Sequence, residues 1–377
     1  MATDVTLMVL PSFAGGEGAG RPQIFLEQKG IWCDLSTRDP INLPQIQKAV
    51  DMTLKRFMKK IVLNQPVALW PLKTLGLKTL YEKLVPRRLH DVLQAAASTA
   101  AGDDMPVLRI HTRLHWIPWE LMHDETDFLG LRFQIARLPI GPTAPDLGDD
   151  QPHTVHRIYN LLAEHLFEKN LFNRWTTTFS GLVAHPGQEI RVPSAGGPGN
   201  NYPTVEDLEN AQDPDIVHIT CHGGEVDRED GKVYWTLNHK HKIHENYRIK
   251  DDDVATLGQM TLFFANTRPL VFGNTCASVS AATGLDASSS ESLDSGFGAT
   301  FFAQGAVAFV GAVAPISDRL SVEFARQFYQ RLLGAGLPIG KALWATKRHF
   351  KEVGENDPSW LFYCLYGPPE TRFQIAH

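Results

Sequence analysis

Short uninterrupted apolar runs alternate along this chain with stretches whose apolar residues recur every three or four positions. The first kind predicts strands buried on both faces, the second amphipathic helices. In the first half, Val5 to Leu10 is a β-type run expected to stop at Pro11. A glycine-rich loop from Gly15 to Gly20 follows, then a second strand over Gln23 to Glu27. Ile46, Val50, Leu54, Met58 and Val62 place a helix between about Leu43 and Leu63, with Pro44 near its start. A second helical stretch runs from about Leu77 to Ala97, and Pro86 should kink or split it. Pro106 to His111 reads as a strand, Trp116 to Met122 as a short helix, and Phe133 to Pro139 as a strand.

The segment from Gly141 to His153 holds three prolines, two glycines and three aspartates with few large apolar residues. That makes it the best linker candidate and puts a domain boundary near Asp150. Beyond it, His156 to Glu164 fits a strand or a helix, and Thr204 to Asp207 should open a short helix. Asp215 to Cys221 is a buried-type strand expected to end at His222-Gly223-Gly224. A polar excursion follows, with a hairpin around Val233-Tyr234-Trp235, then a short helix from Asp251. Pro269 to Asn274 is a second buried strand, ending at Thr275-Cys276, and Ala306 to Val313 is a third. Ser278 to Gly298 is rich in Ser, Gly and Asp and reads as a surface loop. A helix should start at Ser317-Asp318 with Leu320, Phe324, Phe328 and Leu332 on one face and Gly334 after its end. Another helix fits Pro338 to Val353, and Trp360 to Tyr366 reads as a last strand. Non-alternating strands separated by helices imply an α/β fold with a mostly parallel sheet covered on both faces. Chemistry in such sheets collects beyond the carboxyl ends of the strands.

Composition narrows the class without naming an activity. The 377 residues carry a net charge of −6, 43% hydrophobic and 21% charged residues, so overall charge gives no reason to expect nucleic acid as a partner. Cys33, Cys221, Cys276 and Cys364 form no C-x-x-C pair, which suits a reduced chain in the cytoplasm. No apolar run reaches the ~18 residues that span a bilayer, and the first residues lack the pattern of a signal peptide, so no membrane role is expected. No P-loop or dinucleotide fingerprint is present, and no cofactor is expected.

Two strand ends carry reactive residues. His222 follows one strand and Cys276 the other, 54 positions later. If the strands are neighbours, an imidazole able to take a proton and a thiol able to attack a carbonyl emerge side by side. The glycines after His222 leave room for a substrate backbone, and the amides of Gly223 and Cys276 could receive an oxyanion. The alternative reading is a buried cysteine and a core histidine that merely end strands. His218 and His222 form an H-x-x-x-H pair, but four strand residues span ~13 Å, too far for two ligands of one ion. His239, His241 and His244 fit a solvated hairpin better than a metal site.

The order of motifs resembles a known family. Ile216 to Gly223, Leu270 to Cys276 and Phe302 to Gly311 look like the CHAT family of caspase-like cysteine peptidases. Phe324 to Tyr329, Pro338 to Leu343 and Asp357 to Trp360 continue the match, as do Trp119-Glu120-Leu121 and Phe128 to Leu131 upstream. The resemblance covers roughly residues 105–373. It implies a caspase-like three-layer α/β/α sandwich over residues 151–377. It also implies His222 and Cys276 as a catalytic dyad, with the oxyanion held at Gly223 and Cys276. Residues 1–150 would be a smaller α/β region like the pseudo-peptidase domain of separases.

The resemblance to separases further places an acidic residue at Asp318, where it would select Arg or Lys on the N-terminal side of the cut bond. The alternative for Asp318 is a helix cap. Asp286 is a second-choice pocket acid. No Lys or Arg occurs between Arg268 and Arg319, so an enzyme cutting after basic residues could not process its own loop after Cys276. The implied function is a regulated cysteine endopeptidase in bacterial defence or programmed death. It would act on protein or peptide substrates and be switched on by a partner protein or signal ligand. A non-catalytic module that binds peptide in the same groove is the other reading.

Overall fold

The computed structural model describes residues 3–13, 20–36, 77–100, 102, 104–115, 117–140, 151–162, 189–191, 213–226, 233–237, 248–250, 267–276 and 296–376. The strands are β1 (Val5–Phe13), β2 (Gly20–Gln28), β3 (Ile31–Asp34), β4 (Val107–Thr112), β5 (Gln134–Pro139), β6 (His153–Val155), β7 (Arg157–Leu162) and β8 (Glu189–Arg191). They continue with β9 (Ile216–Val226), β10 (Val233–Thr236), β11 (Arg248–Lys250), β12 (Leu270–Thr275), β13 (Ala308–Ala312), β14 (Tyr363–Tyr366) and β15 (Phe373–Ile375). The helices are α1 (Lys78–Leu84), α2 (Arg87–Ser98), α3 (Leu129–Arg132), α4 (Phe297–Ala303), α5 (Asp318–Tyr329) and α6 (Ile339–Glu352). The expected helices at 43–63, 204–207 and 251–257, the histidines at 239–244, Trp116 and most of the linker lie outside the described residues.

Thirteen of these strands form one sheet with the order β11-β10-β9-β12-β13-β14-β5-β4-β1-β2-β3, and β7 lies against β9 and carries β8. The block β8, β7, β9, β12, β13 is parallel throughout. So is the block β14, β5, β4, β1. The two meet at the antiparallel β13–β14 pair. Their carboxyl ends therefore point to opposite edges, and His222 and Cys276 belong to one edge only. The sheet runs without a break across the expected boundary near Asp150, since Tyr366 of β14 pairs with Arg137 of β5.

Side-chain alternation puts a helix layer on each face. Phe272 and Tyr363 turn to the α5 side, where Phe272 meets Phe328 and Tyr329 and Tyr363 stacks on Phe324 at 3.8 Å. Phe309 and Trp235 turn the other way and meet Phe297 and Phe301 of α4. Gly273 lies under that second group. A Cβ there would stand 2.9 Å from the Phe309 ring and 3.1 Å from Trp235, so the strand can hold only glycine at this point without repacking. The result is the α/β/α arrangement expected.

Several boundaries differ from the expectation, each for a pairing or capping reason. β1 passes through Pro11 to Phe13 because β2 pairs with it over that whole length. The 77–97 helix splits at Pro86 into α1 and α2, and the ambiguous stretch after 156 is the strand β7. β9 does not stop at Cys221. Where β12 ends, β10 takes over as antiparallel partner and carries the strand to Val226. Trp360 to Phe362 is a 3-10 turn rather than strand, because Asp357 caps it by accepting from Ser359 N and Pro358 occupies the first helical position. The turn α3 and the helix α4 carry no strong apolar period and were not expected.

Two histidines in this core are held neutral. His218 is fully buried between Phe272 and Tyr329, with ring nitrogens 3.1 Å from Tyr329 Oη and 2.9 Å from Thr220 Oγ1. Burial pushes its pKa down to about 3. His115 is pushed down to about 3 as well, by burial first and then by the cations of Arg137 and Arg113. The unfolded chain protonates both near the ordinary value of ~6.5. Their stabilising contribution is therefore complete above that pH and is lost as the pH falls toward 3, at about 1.4 kcal/mol per pH unit for each ring. Urea unfolding between pH 7 and pH 4 should show this fall, and a His218→Gln variant should show a flatter one.

Candidate active site

The two strands whose ends the sequence placed at His222 and Cys276 are neighbours, although β9 runs on past His222. β9 and β12 pair in parallel from Leu270↔Ile216 to Thr275↔Cys221, so His222 and Cys276 are the next residue on each. Alternation along β9 puts His222 on the face that carries His218 and Thr220. That is the α5 face, and Cys276 shares it, because its Sγ donates at 3.6 Å to the carbonyl of Ile316, just before α5. Both residues keep partial exposure. His222 lies opposite Thr236 of β10, where the register shifts between Tyr234 and Thr236. A bulge of this kind bends the strand and re-aims the side chains beside it.

Gly223 packs directly on the second strand end. A Cβ on it would lie 2.5 Å from the Cys276 carbonyl oxygen and 3.0 Å from Thr275 Oγ1. Only a residue without a side chain lets the two backbones come this close.

The thiol rests in its neutral form. Its pKa is pushed up to about 11, by burial first and also by the negative charge of Asp318. Cys221, on the neighbouring strand, is raised by burial and by Cys276 beside it. Cys364 is raised to about 12 by its own burial. Tyr363 completes the surroundings. Its Oη donates to Asn274 Oδ1 at 2.6 Å, and Asn274 Nδ2 donates to Ser321 O at 3.3 Å. Asn274 thus ties the end of β12 to the first turn of α5.

That first turn also holds Asp318. Ser317 is the N-cap and accepts from Leu320 N at 3.3 Å, so the helix does not depend on Asp318 for its cap. Ser317 Oγ in turn donates to Asp357. Ser321 Oγ donates to Asp318 O at 2.9 Å. Asp318 is partly exposed, and its charge reaches Cys276. Asp286 lies outside the described residues. His218 is enclosed by Tyr329 and Thr220 and does not join His222. Sequence reasoning missed Asn274, Tyr363 and Ile316. Nothing in their spacing marks them, because they meet only through the packing of α5 on β12 and β14.

No helix among the described residues is long and apolar enough to cross a membrane. No curated protein matches the chain. Solved structures similar to it include the Saccharomyces cerevisiae separase–securin complex, at 12% identity and a TM-score of 0.47, over 76% of this chain and 17% of that one. Another is the Arg-specific cysteine proteinase gingipain R (RgpB) of Porphyromonas gingivalis, at 10% identity and a TM-score of 0.46, over 77% of this chain and 70% of that one. The chain thus spans about a sixth of the separase chain it matches. A family model for the CHAT domain matches residues 76–360, well over half of the sequence and both strand ends, so the chain belongs to the CHAT domain family.

Proposed function

We propose that this chain is a regulated cysteine endopeptidase that cuts protein substrates after Arg or Lys. One observation carries the reading: the parallel pairing of β9 and β12 brings His222, within β9, and Cys276, just past the end of β12, side by side on one face. Cys276 would attack the scissile carbonyl, and its proton would pass to His222 and on to the leaving amine. The amides of Gly223 and Cys276 would receive the oxyanion. Asp318, relieved of capping by Ser317, would pair with the basic side chain. Asp286 is the second-choice acid for that pocket. Residues 151–377 would form the peptidase unit, and residues 1–150 a supporting unit whose strands extend the same sheet.

The neutral resting thiol favours regulation. A thiol raised to about 11 reacts slowly near pH 7, so an activating partner protein or signal ligand would have to change its surroundings. The same observation favours the second reading, a non-catalytic module that binds peptide in the groove. A cytoplasmic setting in bacterial defence or programmed death is proposed from family membership.

The test is digestion of a mixed peptide library by the full chain, read by mass spectrometry, with and without lysate of the source cell. Cuts after Arg or Lys should appear in the wild type and vanish in Cys276→Ala. In His222→Ala they should slow by about 10²- to 10⁴-fold, the usual contribution of a general base. Cuts after Asp would keep the peptidase and remove Asp318 from its role. No Cys276-dependent cut under either condition would leave the binding module as the reading.

A further inference from the structure

We propose that Tyr363 is a positioning residue for the nucleophile, resting on the reading above: acting through Asn274, its hydroxyl fixes the end of β12 against the start of α5 and so sets where Cys276 stands. The bonds form a chain across three elements. Tyr363 Oη donates to Asn274 Oδ1 at 2.6 Å, and Asn274 Nδ2 donates to Ser321 O at 3.3 Å. Asn274 lies two residues before Cys276 and on the same face. The thiol itself donates to Ile316 O at 3.6 Å, just before α5. The end of β12 and the start of α5 are thus joined twice, once through the thiol and once through the amide beside it.

Donor chemistry leaves this amide one orientation. Ser321 O is a carbonyl and can only accept, so Nδ2 must face it and Oδ1 must face Tyr363. The phenol is then the donor, and burial keeps its proton in place by raising its pKa. Tyr363 and Asn274 are both buried, so solvent does not compete for either bond. Tyr363 belongs to β14 and Asn274 to β12, with β13 between them. Two strand spacings are about 10 Å. The registers Gly273↔Gly311 and Ala312↔Tyr363 put Ala312 in the row that separates the two residues. Its methyl is small enough to let the phenol cross β13. Phe324 of α5 stacks on the phenol at 3.8 Å and 6°, which fixes the plane of the ring. The seating of α5 and the end of β12 are therefore set together.

The experiment is a double-mutant cycle in the full chain, with Tyr363→Phe, Asn274→Leu and the double variant. Each is read by kcat and KM on an Arg peptide, by alkylation of Cys276 with iodoacetamide, and by thermal unfolding. Tyr363→Phe should lower kcat by about 10- to 10²-fold with KM unchanged, because the hydroxyl touches no substrate and displacement of the reacting groups by about 1 Å costs this much. Alkylation of Cys276 should rise by about fivefold, the factor by which loss of one ordinary hydrogen bond shifts a local opening equilibrium. In that reaction an S–C bond forms, iodide leaves and the thiol proton goes to solvent. In the Asn274→Leu background, Tyr363→Phe should change neither kcat nor alkylation further, since the hydroxyl acts only through the amide.

A hydroxyl that merely stabilises the core would lower the melting temperature and leave kcat and alkylation of the folded protein unchanged. That result would overturn the proposal. So would an effect of Tyr363→Phe that is the same with and without Asn274. If Tyr363→Phe folds poorly, Asn274→Leu alone decides the matter. It cuts the same bridge, so unchanged kcat and alkylation there would also overturn the proposal. The alkylation arm separates this inference from the peptidase reading. A coupled alkylation effect without any Cys276-dependent cut would retain the positioning and reject the peptidase. Cuts after Arg that proceed at the wild-type rate in Tyr363→Phe would reject the positioning alone.

Discussion

Gly223→Ala should reduce Cys276-dependent cleavage by at least about 10²-fold while the chain remains folded. The added Cβ meets the Cys276 carbonyl oxygen at 2.5 Å and Thr275 at 3.0 and 3.1 Å. The first contact is backbone, so no side-chain rotation relieves it, and β9 must move away from the end of β12. A shift of about 1 Å between reacting groups costs on the order of 10²-fold in rate. It would also carry the Gly223 amide off the position proposed for the oxyanion. The overpacking should cost only about 1–3 kcal/mol, the usual range for an added methyl in a packed site. The check is kcat/KM on an Arg peptide from the library screen, with circular dichroism and thermal unfolding run alongside. Activity within threefold of wild type would show that the approach of the two backbones is not needed for the chemistry.

Glu120→Ala should destabilise the chain by about 3–5 kcal/mol, the usual cost of stripping one partner from a buried ion pair. Glu120 and Arg137 are both fully buried and bind through two bonds, Arg137 Nε to Glu120 Oε1 at 3.1 Å and Nη2 to Oε2. Arg137 Nη1 also donates to His115 O at 2.7 Å. Lys347 of α6 is buried nearby, and burial lowers its pKa to about 8 although Glu120 favours its charge. Without the carboxylate, two buried cations would face each other with nothing to balance them. A double change, Glu120→Leu with Arg137→Met, should recover much of the loss, since removing both charges removes the unpaired one. Urea unfolding of the wild type and the two variants is the measurement. A single Glu120→Ala within 1 kcal/mol of wild type would mean that the cluster is balanced by groups other than this carboxylate. This pair explains Trp119-Glu120-Leu121 as an architectural motif. It locks the 3-10 turn to β5, beside α6 and β14, at the seam between the two parallel blocks.

Local patterning carried most of the element assignments. The helical stripes of α2, α5 and α6 are legible because burial on one face leaves a 3.6-residue period, and β9, β12 and β13 because strands covered on both faces cannot alternate. Pro86 divided two helices as its missing amide requires. The errors fell where a distant segment decided the outcome. β9 outran its apolar run because β10 returned to pair with it, and β1 ran through Pro11 because β2 did the same.

His222, Gly223, Cys276 and Asp318 were all nameable from sequence, because each sits where an apolar run ends or a helix starts, which local pattern marks, although β9 itself runs on to Val226. Sequence by itself thus determined which residue types stand at which element ends. Only the tertiary structure decided that β9 and β12 are adjacent, that Ile316 and Asp318 share the thiol's surroundings, and that Ser317 rather than Asp318 caps α5. It alone also set the two parallel blocks in opposite senses through the β13–β14 pair. The physical reason is one of range. Periodicity records whether a side chain faces core or solvent, a property each residue carries alone. Adjacency, charge coupling and strand direction are relations between segments tens to hundreds of residues apart, and they take definite values only when the chain has packed.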